Sequence, residues 1–142
     1  MALSHSDVVE HLHRILRPAQ VVTDHAELQR SSVDNFRKLQ NIFDVHTMRL
    51  PAAIVYVEST DDVQRVLTLA VEQGINVVPR TGGTATEGGL ESGAPQSIVV
   101  DGSMLNQIIS IDPYNMQATA QCGVPLQLLE DKAREEIGRA HV

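Results

Sequence analysis

The sequence predicts a mixed α/β domain, a small mixed sheet with flanking helices. Three observations carry this. Ala53–Val57 is a short, almost wholly apolar, β-branched run of the kind found in strands covered on both faces, and Ile98–Asp101 reads as a further strand. Between Ser59 and Gly74 the apolar residues recur at helical spacing. A further strand at Asn76–Val78 follows after a short connection, so Ala53–Val57 and Asn76–Val78 form a βαβ unit whose default is a parallel pair with a right-handed crossover.

The elements follow in order. Ser4–Arg17 reads as a helix, with Val8, Leu12, Ile15 and Leu16 on one face and Pro18 as its stop. Val21-Val22 is a short strand, Asp24–Arg30 a turn or helical piece, and Ser31–Leu50 an irregular arm of weak periodicity. After the strand at Ala53–Val57, Ser59 is a good N-cap, and Asp62 three residues on makes a near capping box. Asp61 and Asp62 suit the positive end of the helix dipole. Val63, Val66, Leu67 and Ala70 form the apolar stripe, and Gly74 closes the helix. Ile108, Ile109 and Ile111 mark a strand, with a turn at Asp112–Asn115. Gln117–Cys122 alternates, with Ala118, Ala120 and Cys122 on one face. Gly123 breaks that strand, and Pro125 opens a last helix with Leu126, Leu129 and Ala133 on its inner side.

Composition narrows the class. The chain has 142 residues, about one domain, and is 42% hydrophobic, 20% charged and only 3% aromatic, so its core is aliphatic. Its net charge is -7, with no cluster of Lys and Arg, which argues against nucleic acid as a partner. One cysteine, Cys122, excludes an internal disulfide framework, and burial as a small hydrophobe is its expected role. No apolar run reaches the roughly 20 residues of a membrane span, and Met1–Glu10 lacks the layout of a secretory signal. A cytoplasmic location is the expectation. His11 and His13 stand two apart and share no helix face, His46 lies in the arm, and no metal site is expected.

One stretch exceeds what fold-building needs: Pro79-Arg80-Thr81-Gly82-Gly83-Thr84-Ala85-Thr86-Glu87-Gly88-Gly89. Paired glycines let the backbone take positive φ and approach a ligand closely. Successive N–H groups then form a concave anion site, to which Thr81, Thr84 and Thr86 add hydroxyl donors. The ligand this suggests is a phosphate, above all the pyrophosphate of a dinucleotide. The loop lacks the Lys of a Walker loop and the spacing of a Rossmann fingerprint. From these residues alone, plain connection stands as an equal account. Glu87 would repel an anion if it pointed inward, so it is expected to face solvent.

The order Pro51–Val55, Ser59–Val63, Val77–Thr84, Gly88-Gly89, Ile98–Asp101 with Met104, Asn106 and Ile108, then Gln121–Val124, resembles the FAD-linked oxidases of the vanillyl-alcohol oxidase and p-cresol methylhydroxylase superfamily. Nearest in pattern are its glycolate oxidase, D-lactate dehydrogenase and alkyl-dihydroxyacetonephosphate synthase branches. The resemblance covers about Pro51 to Glu135. It implies the first subdomain of a PCMH-type FAD-binding domain over residues 51–135, preceded by a helix and arm at 1–50. It implies FAD as cofactor, its pyrophosphate held by Thr81, Gly82, Gly83, Thr84 and Gly88, with Arg80, Ala85 and Gly89 in the same loop and Gly123 near the cofactor. Some branches carry a flavin-bonding His after the first glycine pair. Thr84 stands there, so FAD is expected to be non-covalent. The implied chemistry is oxidation of a 2-hydroxy acid or related alcohol, a small-molecule substrate, by hydride transfer to FAD. No catalytic residue is assigned within the chain. A stand-alone binding module without chemistry and a reductase on the same FAD module are the alternatives.

The last seven residues, 136–142, match a translation of a common short-read sequencing adapter whose next codon is a stop, and they are expected to be a non-native tail. The chain by itself is expected to bind FAD weakly or not at all and, through an exposed contact face, to associate with itself as a homo-oligomer.

Overall fold

The computed structural model describes residues 3–33 and 49–136. The elements are α1 (His5–Ile15), β1 (Val21–Val22), α2 (His25–Ser31), β2 (Ala53–Tyr56), α3 (Thr60–Gln73), β3 (Asn76–Arg80), β4 (Ser97–Asp101), β5 (Ile108–Asp112), β6 (Gln117–Ala120) and α4 (Leu126–Glu136). A single 3-10 turn, Pro18–Gln20, joins α1 to β1. Most of the arm expected at Ser31–Leu50, with His46, lies outside the described residues, as does all of the suspected tail except Glu136.

Four strands make the main sheet in the order β1-β2-β4-β3, and β5 and β6 form a separate antiparallel hairpin. β2 and β3 are therefore parallel, as expected, but not neighbours: β4 lies between them and pairs in parallel with both. The reason is burial. Every residue of β4 is buried, whereas β3 reads exposed, half-buried, buried, exposed, half-buried. The wholly covered run takes the centre, and β3, which contains Pro79 and so lacks one ladder donor, takes the edge.

Alternate residues of β2 and β4 feed two cores. Ala53, Val55, Ile98 and Val100 face Val8, Leu12 and Leu16 of the first helical segment and Val66, Leu69 and Ala70 of α3. Ile54 and Val99 face the other way, with Val78 and Leu28 of α2. The α3 stripe differs from expectation at one place: Leu67 is 45% exposed, and Leu69 is buried instead. At 100° per residue the face built on Asp62, Val66 and Ala70 passes through Leu69, and Leu67 is turned away.

Buried Asp62 ties three segments together. Its Oδ2 accepts from Gln20 Nε2 at 2.9 Å and from the Glu58 N–H at 3.0 Å, and its Oδ1 accepts from Arg65 Nη2 at 2.6 Å. Ser59 Oγ accepts from the Asp62 N–H as an N-cap should, but the reciprocal bond goes to Glu58, one residue earlier than in a capping box. Burial pushes the Asp62 carboxyl up, yet the Glu58 N–H, Gln20, Arg65 and Ser59 together hold it below the ordinary carboxylate value. Its ionised form is therefore favoured in the folded chain. The stability this contributes is complete above the unfolded carboxylate value and is lost as pH falls through the lower folded one. Asp62→Ala, which removes the acceptor of the Glu58 N–H, of one Gln20 N–H and of Arg65, is expected to cost roughly 2–3 kcal/mol at pH 7. In urea titrations the gap between wild type and variant should narrow below about pH 4; a gap independent of pH would refute the role.

Candidate functional site

The carboxyl ends of β2, β3 and β4 lie along one edge of the main sheet, where Tyr56 and Arg80 both pair with Asp101. In open α/β sheets this is the edge that receives ligands. The glycine loop departs from it at Thr81 and returns to the interior at Leu90, which is 4% exposed. Ser92, next but one, bonds through its hydroxyl to the Arg49 carbonyl and pins the far end.

The floor of the loop is an ion pair. Asp101 is fully buried; its Oδ2 accepts from Arg80 Nη1 and its Oδ1 from the Ser103 N–H at 2.9 Å. The Gly102 N–H adds a bond to the Arg80 carbonyl at 2.8 Å. A carboxylate held this far from water is tolerable only with such partners. Burial first, and then the Asp101 charge, push the Tyr56 phenol above its usual range, so Tyr56 stays neutral at ordinary pH. Arg80 Nε is buried and finds no acceptor among the described residues.

Gly83 folds back over the guanidinium: a Cβ there would stand 3.4 Å from Arg80 Nη2. Gly83 has φ 65° and Gly88 φ 82°, both left-handed, and a Cβ on Gly88 would meet Glu91 Oε1 at 2.9 Å. Gly82 and Gly89 do not have positive φ. Thr81, Gly82, Thr84, Thr86, Glu87 and Gly89 are exposed, while Gly83, Ala85 and Gly88 are half-buried. None of the N–H groups from Thr81 to Glu87 donates to another described residue.

The structure thus gathers Arg80, Thr81, Gly82, Gly83, Thr84, Ala85, Gly88 and Gly89 on one loop. Gly123 reaches the same edge by a different route. Its N–H donates to the Leu105 carbonyl at 2.8 Å, and a Cβ on it would lie 2.7 and 2.8 Å from the Ser103 and Leu105 oxygens and nearer still to that of Gly102. Gly102 in turn abuts Thr81 Cγ2 and Cys122 Sγ. Between these parts opens a cleft of about 310 Å³, lined by Val57, Val63, Arg80, Thr81, Leu105 and Cys122 among others. Cys122 was expected to be buried and is exposed. β6 ends at Ala120, so Cys122 falls in the turn beyond it, and no residue of β5, β6 or α4 is buried. Leu126, expected on the inner side of α4, is 78% exposed for the same reason.

Asp101 and Gly102 are the residues that sequence reasoning did not single out. The signal was present: an acid ends the otherwise apolar Ile98–Asp101 run, as a base ends β3. Only the register shows that the two are partners.

Residues 51–141 match the family described as FAD binding domain. The chain belongs to that family. FAD is its cofactor. It is 50% identical over 136 residues to an uncharacterized FAD-linked oxidoreductase, YgcU, of Escherichia coli (strain K12), covering 96% of this chain and 28% of that protein. It is 26% identical over 144 residues to the mitochondrial D-lactate dehydrogenase [cytochrome] 1 of Saccharomyces cerevisiae (strain ATCC 204508 / S288c), covering 92% of this chain and 24% of the enzyme. The chain therefore spans about a quarter of the length of these relatives. In structure it resembles alkyldihydroxyacetonephosphate synthase, with a TM-score of 0.81 at 21% identity over 95% of this chain and 26% of the other. It also resembles p-cresol methylhydroxylase, with a TM-score of 0.72 at 20% identity over 92% of this chain and 24% of the other. The fold is that of a PCMH-type FAD-binding domain. Among the described residues no helix is long and apolar enough to cross a membrane.

Because three carbonyl oxygens surround the α-carbon of Gly123, Gly123→Ala is expected to separate the β6 end from β4 and to cost about 3 kcal/mol. Gly93→Ala, with nothing within 4 Å of its new methyl, is the neutral control. Urea unfolding of both variants checks this, and equal midpoints would show that the Gly123 packing is dispensable.

Proposed function

We propose that residues 51–135 are the first subdomain of the FAD module and that its glycine loop receives the pyrophosphate. Thr81, Gly82, Gly83, Thr84, Ala85, Gly88 and Gly89 would supply N–H groups and hydroxyls, Arg80 would support them from below, and Gly123 would stand close to the cofactor across the cleft. The observation that carries this reading is the set of N–H groups from Thr81 to Glu87 that find no acceptor among the described residues, on a loop bent by two left-handed glycines at the ligand edge of the sheet. Unpaired donors in succession along one loop fit a doubly anionic group. Glu87 is exposed, as expected for a carboxylate that faces solvent. Thr84, at the position of the flavin-bonding His of other branches, favours non-covalent FAD.

The larger protein that such a module serves is, on this reading, a cytoplasmic oxidoreductase acting on a 2-hydroxy acid or related alcohol. The likeness to D-lactate dehydrogenase supports that class. When bound, FAD supplies the hydride acceptor; the residues of this chain bind and orient it, and the substrate's own contacts lie elsewhere. The last seven residues are read as a non-native tail.

Titrating FAD into the 15N-labelled chain tests the assignment, since amide shifts register weak binding too. The signals of Thr81–Gly89 and Gly123 are expected to move while those of α2 stay in place. Movement confined to other segments would sink the loop assignment. In a longer polypeptide carrying residues 51–135, D-lactate or glycolate added without oxygen should bleach the flavin absorbance, and a flavin bleached by neither would dismiss this substrate class.

A further inference from the structure

We propose that Asp101 is the positioning residue of the cofactor loop, acting through Arg80, and that Arg80 supports the loop without being the principal anion ligand. This rests on the assignment of the glycine loop to the FAD pyrophosphate. β3 and β4 pair so that Arg80 and Asp101 are direct cross-strand partners at the last rung of the sheet. Asp101 is fully buried and cannot turn to water, and its second oxygen is taken by the Ser103 N–H. It therefore holds one fixed orientation, and Arg80 Nη1 must come to it.

A guanidinium is a rigid planar fork, so fixing one nitrogen fixes the plane. That plane lies under Gly83, whose α-carbon approaches so closely that an added Cβ would contact Nη2, Nε and Cζ at 3.4, 3.6 and 3.8 Å. Gly83 is also where the backbone turns left-handed. The loop path at its first glycine pair is thus set by a surface that Asp101 orients from the opposite strand. The buried Nε, which finds no acceptor among the described residues, has the same cause: the fork is placed by the bond from Nη1 to Asp101, and Nε is left facing no partner. With its charge balanced by Asp101, Arg80 leaves the pyrophosphate to the loop N–H groups and threonine hydroxyls.

The test uses the full chain, 15N-labelled, as wild type, Asp101→Asn, Arg80→Lys and the double variant, with a thermal melt of each. Asn keeps the shape of Asp101 and Lys keeps the charge of Arg80 without the fork. In the free wild type the Gly82 and Gly83 amides are expected to be as rigid as those of β2, with an order parameter near ~0.85, falling below about 0.6 in each single variant while β2 is unchanged. FAD affinity should fall about tenfold in each single variant and no further in the double. Arg80→Lys should melt near wild type, which separates loss of the fork from loss of the fold. Loop amides that stay rigid in Arg80→Lys and Asp101→Asn would overturn the proposal, as would single-variant losses of affinity that add in the double. If the wild-type loop does not respond to FAD at all, the pyrophosphate assignment fails instead, and the order parameters alone then decide whether the pair sets the loop.

Discussion

The parallel pairing of β4 with β2 on one side and β3 on the other is the constraint on which the rest of this structure depends. Placing the most completely buried strand at the centre lets its alternate side chains serve two cores at once. Ile98 and Val100 face α1 and α3, and Val99 faces α2. The same pairing brings three strand ends to one edge, so that segments far apart in sequence meet there: Val57 after β2, Thr81 after β3 and Gly102 after β4. A cleft at that edge follows from the sheet order, before any residue lining it is considered.

The edge also carries an electrostatic cost that the fold offsets locally. Asp101 gives up its hydration, and it is compensated by one cross-strand guanidinium and one backbone N–H. In exchange the fork of Arg80 is held where the chain turns back at Gly83. Glycine is required at Gly83 and Gly123 for different reasons. At Gly83 the backbone is left-handed over the guanidinium, whereas at Gly123 the φ is ordinary and a methyl would collide with three carbonyl oxygens.

The two halves of the described chain differ in how far they are closed. The main sheet is covered on both faces, while no residue of β5, β6 or α4 is more than half-buried, and Ile109, Met116, Leu126 and Leu128 are exposed.

Much of this was legible in the residues themselves. The capping Ser59, the left-handed Gly74, the both-sided burial of β2 and the two glycine pairs are local matters, decided by propensity, period and backbone freedom within a few residues. The pattern of the whole stretch from Pro51 was enough to recognise the FAD family. Three things were not legible, because each depends on which strands become neighbours. β4 separates β2 from β3, although the chain order alone favours joining them. Arg80 and Asp101, 21 residues apart, become partners only through that insertion. Cys122, alternating like a core residue, is exposed because it falls in the turn beyond β6, on a hairpin with no buried residue. Periodicity reports which face of an element is apolar, and only the assembled layers determine whether that face is covered.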